Sequence, residues 1–205
     1  MNERVSATKE AVIGAARSLF ARYGHPKTSV EEIAREAGLS KATVYNYFGG
    51  KESIVAGVIE YERKAMVAKL QEAVDGADGP VEKLKSFFLT RIREVQRHHK
   101  TYRPDREEII RHMPQVARAI ERNRREERKI IEGVLREGIE TGVFRALGDI
   151  ALTSDILFTT VIGLTFPLFG KPVIRSTEKR VEELVTLFPV GICSDRSRLR
   201  IFKEE

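Results

Sequence analysis

Residues 28–55 read TSVEEIAREAGLSKATVYNYFGGKESIV, and this stretch contains the signals of two short helices joined by a tight turn. Thr28 and Ser29 each precede a glutamate by three residues, which is the spacing of a capping box and predicts a helix from Val30 to Ala37. Gly38 follows, and glycine tolerates the positive φ that a tight turn requires. The stretch therefore begins like a helix-turn-helix.

The second helix of the pair is predicted from Lys41 to Tyr47, because Ser40 is a typical N-cap and Gly49-Gly50 ends the helical pattern. The facing positions are small or apolar: Ile33, Ala34, Ala37, Val44 and either Tyr47 or Phe48. The outward positions carry no acid: Lys41, Ala42, Thr43, Tyr45 and Asn46. Such a face could enter a major groove without repelling phosphates, which favours DNA binding over a helical hairpin buried in a core.

The rest of the chain predicts helices and no strand of useful length. Further helices are expected over Ser6–Tyr23, Lys51–Val74, Pro80–His98, a short segment from Pro104, Pro114–Thr141, Asp149–Phe169 and Ser176–Pro189. The predicted fold is all-α with about nine helices. It comprises a helix-turn-helix DNA-binding head at residues 1–50, a helical ligand-binding and dimerisation body at residues 51–190, and a tail at residues 191–205.

The composition predicts a globular cytoplasmic chain. It has 205 residues, of which 41% are hydrophobic and 32% charged. The single cysteine, Cys193, excludes an intramolecular disulfide and is consistent with a reducing compartment. The N-terminus lacks the apolar core of a signal peptide, and the longest uncharged apolar run, Ile156–Gly170, is too short for a membrane span. The net charge of +6 is not concentrated in the head, so DNA binding must rest on local pattern.

The chain lacks the usual signatures of a catalytic or metal site. Its four histidines do not form a metal-binding spacing with Cys193, and the sequence has no G-x-S-x-G, P-loop or dinucleotide fingerprint. We therefore predict no enzyme activity, no metal and no cofactor. The rival interpretation of the whole chain is a helical scaffold that retains a vestigial DNA-binding head.

The stretch from Thr28 to Val55 resembles the N-terminal signature of the TetR family of bacterial transcriptional regulators. The most specific match is the set Tyr45, Tyr47, Phe48 and Lys51. The resemblance at motif level covers about residues 5–60, and the remainder matches only in architecture. It implies a DNA-binding regulator, usually a repressor, that a small-molecule effector releases from a palindromic operator.

This resemblance also implies roles for individual side chains. Phe48 would pack inward and Tyr45 would face the bases, whereas Tyr47 would turn its hydroxyl to a phosphate or, by its spacing, belong to the core. Lys51 would combine its amine with a helix N-terminus to bind a phosphate oxygen, and Thr28 or Ser29 would act in the same way at the start of the helix predicted from Val30. The predicted DNA-contacting residues are Thr28, Ser29, Ser40, Lys41, Ala42, Thr43, Tyr45, Asn46, Tyr47 and Lys51.

The predicted helix after Asp149 is apolar nearly all round, so it should be buried on several sides. Self-association would cover it, and the resemblance implies a homodimer formed by the last two helices. A monomer with this helix at its centre is the alternative. The predicted interface comprises Ile156, Val161, Leu164, Leu184, Val185 and Phe188.

Polar side chains also interrupt apolar stripes in the body. Asn123 and Glu127 do so in the helix that begins at Pro114, where they either meet a ligand or lie in solvent. Arg91 lies on a comparable stripe in the helix that begins at Pro80. The predicted effector pocket comprises Met66, Leu70, Phe88, Arg91, Ile92, Met113, Ile120, Asn123, Glu127, Phe158 and Ile162. Because the helix that begins at Lys51 links head and body, a ligand-driven rotation would change the distance between two recognition helices.

Overall fold

The structure is a computed structural model that describes residues 2–102, 114–165, 179–180 and 183–184. These residues are organised as helices, which confirms the predicted all-α class. In chain order the helices are α1 (Asn2–Tyr23), α2 (Val30–Glu36), α3 (Lys41–Phe48), α4 (Lys51–Asp75), α5 (Gly79–Tyr102), α6 (Pro114–Glu140) and α7 (Ile150–Thr165).

The helix boundaries follow the sequence signals closely, with small differences at the N-termini. α1 begins at Asn2 rather than Ser6, and the predicted cap of α7 is present, since Asp149 Oδ1 accepts from Leu152 N at 2.9 Å. The short helix predicted from Pro104 lies outside the described residues. So does most of the helix predicted up to Pro189, of which residues 179–180 and 183–184 are helical.

The chain divides into two compact units. One comprises Met1–Ala65 and Arg97–Arg124, and contains the three N-terminal helices; we call it the head unit. The other comprises Met66–Gln96 and Arg125–Glu205, and we call it the body unit. The division falls inside α4, after Ala65, whereas the domain boundaries at residues 50 and 190 stay predictions.

The head unit has its own apolar core, to which α1, α2, α3 and the start of α4 contribute. A close approach between α1 and α4 depends on Gly57, because a Cβ there would lie 2.6 Å from Ile13 Cδ1. The buried members are Val12, Ile13, Ala15, Ala16, Leu19, Phe20, Val30, Ile33, Ala34, Val44, Ile54, Val55 and Val58. This core holds the two short helices on a rigid base, which is the requirement for presenting side chains to a partner.

The body unit has a second core, built from α4, α5, α6, α7 and the loop before α7. Gly138 marks a close approach in this core, because a Cβ there would overlap the Phe144 ring, and Phe144 N donates to Gly138 O at 2.8 Å. The buried members are Leu70, Val74, Leu84, Phe87, Phe88, Ile92, Ile131, Val134, Leu135, Phe144, Leu157, Phe158 and Val161. Within the described ranges, no helix is long and apolar enough to cross a membrane.

Candidate functional site

The start of α2 is fixed by a reciprocal capping box, as the sequence predicts. Ser29 Oγ accepts from Glu32 N at 3.2 Å, and Glu32 Oε2 accepts from Ser29 N at 2.7 Å. The Ser29 amide and hydroxyl hold the pKa of the Glu32 carboxyl below its ordinary value. The capping box therefore sets where α2 begins and how the chain enters the helix-turn-helix.

Thr28 is buried, although it was predicted to contact DNA. Its side chain is 2% exposed, and its hydroxyl donates to Gly24 O at 2.9 Å. Gly24 has φ 81° and ends α1, so this hydrogen bond closes the turn between α1 and α2. Thr28 supports the turn in this way, and we remove it from the side chains offered to DNA.

The turn between α2 and α3 is a Schellman motif centred on Gly38. Leu39 N donates to Ala34 O at 2.9 Å and Gly38 N donates to Arg35 O at 3.1 Å, while Gly38 has φ 67°. Ala34 is buried and Leu39 packs against the head core, which is the apolar contact that usually accompanies this motif. The turn glycine and the small residue at the close approach are therefore both present as predicted.

The inward face of α3 anchors the helix to the head core. Val44 is fully buried, and Phe48 packs against that core as the resemblance implies. Tyr47 is half-buried, so its phosphate-contact role stays a prediction. Gly49, with φ 72°, ends the helix by donating its amide to Tyr45 O at 2.7 Å.

The outward face of α3 is exposed and contains no carboxylate of its own. Lys41, Ala42, Tyr45 and Asn46 are exposed, and Tyr45 is 43% exposed despite being aromatic. At the N-cap, Ser40 Oγ accepts from Thr43 N at 3.1 Å and lies 2.8 Å from Thr43 Oγ1. This face therefore offers an amine, a phenol and an amide to a partner of complementary shape, the groups that read base edges and phosphates.

A carboxylate that the sequence analysis missed lies beside this face. Glu31 on α2 accepts a hydrogen bond from Lys41 Nζ, and the Lys41 ammonium lies 5.9 Å from the centroid of the Tyr45 ring. Lys41 lowers the pKa of the Glu31 carboxyl, and Glu31 raises the pKa of Lys41. The acid was overlooked because it belongs to the other helix, ten residues earlier. A search for oppositely charged residues ten positions apart, one on each helix of the helix-turn-helix, would have found Glu31.

Replacing Glu31 with glutamine is expected to strengthen DNA binding a few-fold, because it frees Lys41 and removes a negative charge beside the phosphates. Fluorescence anisotropy with a labelled duplex would measure the change. Glu36→Gln is the matched control, since Glu36 is also exposed on α2. Weaker binding by Glu31→Gln than by the control would show that Glu31 positions Lys41 rather than opposing DNA.

Lys51 begins α4 and points toward the turn between α1 and α2. Its Nζ donates to Pro26 O at 3.3 Å, and partial burial lowers the pKa of the ammonium. The amine is thus held at the N-terminus of a long helix, although the helix dipole disfavours a cation there. An anion bound by the Lys51 amine and the helix end would offset that disfavoured placement.

In the body unit, the structure joins two polar residues that the sequence analysis placed on separate stripes. Arg91 Nε donates to Glu127 Oε2 at 2.5 Å, and each residue is only 7% exposed. The Arg91 guanidinium carbon lies 4.9 Å from the centroid of the Phe158 ring, and within the described ranges Arg91 Nη1 is buried without a hydrogen-bond partner. Of the two alternatives for Glu127, the solvent-exposed one is therefore wrong.

The other predicted pocket residues are divided between core and undescribed positions. Leu70, Phe88, Ile92 and Phe158 are buried members of the body core, and Met66 packs against it while partly exposed. The side chains of Met113, Ile120, Asn123 and Ile162 lie outside the described residues. Among the residues that are described, no group of three or more histidine, cysteine and acidic side chains could hold a metal ion.

In the single chain, α7 is buried on one side and exposed on the opposite side. Val161 is 1% exposed and belongs to the body core, so its assignment to a dimer interface is wrong for this face of the helix. Leu152 and Ile156 are 57% and 55% exposed, and they lie one turn apart on the opposite face. Leu184 packs against the body core, whereas the side chains of Leu164, Val185 and Phe188 are outside the described residues.

Comparison with known proteins agrees with this arrangement. The family model "Bacterial regulatory proteins, tetR family" matches residues 12–58. HTH-type transcriptional repressor KstR2 of Mycobacterium tuberculosis is 27% identical over 151 residues, which is 73% of this chain and 75% of that protein. The fatty acid metabolism regulator protein of Bacillus subtilis is 23% identical over 150 residues, covering 73% and 77%.

Solved structures show the same fold. A transcriptional regulator from Cytophaga hutchinsonii superimposes with a TM-score of 0.75 at 24% identity, covering 90% of this chain and 98% of that one. The ketosteroid transcriptional regulator KstR2 of Mycobacterium tuberculosis gives a TM-score of 0.55 at 23% identity, with 91% and 95% covered.

The capped helix-turn-helix, its exposed recognition helix and the helical body define a DNA-binding transcriptional regulator. Residues 12–58 match the model of the tetR family of bacterial regulatory proteins, and the curated relatives of 27% and 23% identity are transcriptional regulators.

Proposed function

We propose that the protein is a homodimeric, cytoplasmic repressor that binds a palindromic operator and is released by a small apolar effector. The observation that carries this proposal is the exposed face of α3. Its ends are fixed by Ser40 and Gly49, its inner side is fixed by Val44, and Tyr45 is exposed on its outer side. An aromatic side chain displayed on a rigid, capped helix is suited to contact bases rather than to stabilise the chain itself.

The exposed stripe on α7 supports a dimer. Leu152 and Ile156 are large and apolar, and the other exposed residues on that side of the helix include Thr159, Thr160 and Gly163. An apolar stripe with small neighbours permits close helix packing against a second copy. Two heads in a symmetric dimer would read half-sites about 34–36 Å apart in successive major grooves, which is the reason to expect a palindrome.

The body unit supports an apolar effector. Its core is large and apolar, with one buried ion pair, Arg91–Glu127, among the described residues. Two relatives carry names that refer to fatty acid metabolism and to ketosteroid regulation. Release from DNA would follow from linkage, in which the effector and the operator oppose each other by about 1–3 kcal/mol of coupling free energy.

The proposal is tested by titrating the protein onto labelled DNA from upstream of its own gene and onto a scrambled duplex, at physiological salt. A repressor should prefer the upstream DNA by about 10³-fold or more. Equal and weak affinity for both duplexes, with the same salt dependence, would contradict the proposal for that operator. It would favour the alternative of a helical scaffold with a vestigial head.

Lys51→Ala is expected to weaken binding to specific and scrambled DNA alike, and to reduce the slope of log K against log salt by about 0.9. Lys51→Gln is the sharper test, because glutamine can still donate to Pro26 O but carries no charge. If Lys51 binds a phosphate, both variants should lose affinity and slope together. Full affinity in Lys51→Gln would mean that the lysine serves only the turn.

Tyr45→Ala should instead change the preference among operator variants, because its side chain is proposed to meet bases. The measurement is a competition titration with duplexes that differ by single base pairs in one half-site. Tyr45→Phe separates the two possible contacts, since phenylalanine keeps the apolar contact with a thymine methyl and loses the hydroxyl. A uniform loss of affinity over all duplexes would place Tyr45 on the DNA backbone.

A further inference from the structure

We propose that Arg91 is the polar anchor of the effector site, and that this site takes an apolar molecule with an uncharged carbonyl oxygen rather than a carboxylate or a phosphate. The inference rests on the proposed effector-controlled function and names the chemical class of the effector. It starts from one atom, Arg91 Nη1, which is buried and has no hydrogen-bond partner among the residues that the structure describes.

An arginine has five N–H donors, and burial makes each unmatched donor costly. Arg91 Nε is satisfied by Glu127 Oε2 at 2.5 Å, whereas no group in the described part of the chain accepts a hydrogen bond from Nη1. Proteins rarely leave such a group unpaired in a residue that is only 7% exposed. An acceptor supplied by a bound molecule would remove the cost, so a ligand with a suitably placed oxygen gains more here than at an already satisfied site.

The charge around Arg91 decides which acceptor fits. Glu127 already neutralises the guanidinium, and the neighbouring buried acid Glu94 is paired with Lys69 at 2.7 Å. A carboxylate or phosphate at Nη1 would add a second negative charge close to Glu127 in a region of low dielectric, where like charges repel strongly. A ketone or ester carbonyl supplies the missing acceptor without adding charge.

The side chains around Arg91 determine the chemical character of the rest of the ligand. The Phe158 ring lies against the guanidinium, and Phe88 and Ile92, which flank Arg91 on α5, are buried in the body core. The ligand must therefore replace apolar side-chain contacts to reach Nη1, and its own body should be apolar. Met66, partly exposed at the edge of this core, is the side chain best able to rearrange.

Binding of matched probes to the protein tests the inference. The probes are a straight-chain methyl ketone, the fatty acid of the same chain length and the parent alkane, each titrated calorimetrically. The ketone is expected to bind about 10- to 100-fold more tightly than the other two, because the hydrogen bond from the charged donor outweighs the hydration that the carbonyl loses. Equal or tighter binding of the fatty acid would overturn the uncharged-acceptor assignment.

The control is the double variant Arg91→Met/Glu127→Leu, which replaces the ion pair with apolar side chains of similar volume. It should bind the ketone and the alkane equally. A ketone preference that survives in this variant, or is absent from the native protein, would overturn the role of Arg91. Operator binding is read separately: loss of operator preference in the native protein would contradict the proposed function itself, whatever the probes show.

Discussion

Replacing Ile156 with lysine is expected to produce a monomer and to weaken operator binding by about 10²- to 10⁴-fold. Ile156 is 55% exposed in the single chain and lies one turn from Leu152, which is 57% exposed. A lysine ammonium buried in a dimer formed on this stripe would have no counter-charge to offset its desolvation. The affinity loss follows because one head then binds one half-site, and the advantage of a second linked contact is gone.

Sedimentation of the variant would give its oligomeric state, and anisotropy titrations would compare the full operator with a single half-site. Half-site affinity should be unchanged, because the core of the head unit is untouched. Ala146→Lys is the matched control, since it adds the same charge at an exposed position in the loop before α7. A dimeric Ile156→Lys protein, or a monomer with full operator affinity, would contradict the assigned interface.

The α7 result shows where sequence reasoning reached its limit. An apolar helix can be recognised from composition alone, and the residues from Ile150 to Thr165 do form one. Which side faces the chain's own core depends on how α7 packs, and periodicity cannot reveal that when apolar residues occur on every side. Val161 was assigned to the interface and is core, while Leu152, which the predicted interface omitted, is exposed.

The head unit was the most predictable part, because its signals are local. A capping box, a turn glycine and a helix-ending glycine each specify backbone geometry within a few residues, and Ser29, Gly38 and Gly49 all adopt it. Contacts between helices were not predictable in the same way. Thr28 is turned inward and Glu31 meets Lys41 because of how the elements cross, which no single-helix pattern encodes.

The Arg91–Glu127 ion pair was only partly predictable from the sequence. Each residue interrupts an apolar stripe on its own helix, and that interruption was visible in the sequence. Their separation of 36 residues meant that only the packing of α5 against α6 could join them. Arg91 Nε and Glu127 Oε2 satisfy each other, whereas Arg91 Nη1 has no hydrogen-bond partner in the described part of the chain, so this nitrogen is informative about function.

Replacing Arg91 alone with methionine is expected to destabilise the protein by about 3–5 kcal/mol. The reason is that Glu127, at 7% exposure, would lose its ion-pair partner, and breaking a buried pair by removing one partner is far more costly than replacing both. The contact between the guanidinium and the Phe158 ring would be lost as well. Urea denaturation followed by circular dichroism would give the change as a shift of the midpoint at constant slope.

Two further variants distinguish the cost of breaking the buried Arg91–Glu127 pair from the cost of removing any charged side chain. Lys129→Met removes a lysine that pairs with Glu126 on the exposed side of the same helix as Glu127, and it should cost less than about 1 kcal/mol. Arg91→Met/Glu127→Leu should recover most of the stability that Arg91→Met loses, because no buried charge remains. If Arg91→Met lowered the free energy of unfolding no more than Lys129→Met does, then solvent or a rearranged side chain would have to reach Glu127. The case for an unmet donor at Arg91 would then fail together with the stability prediction.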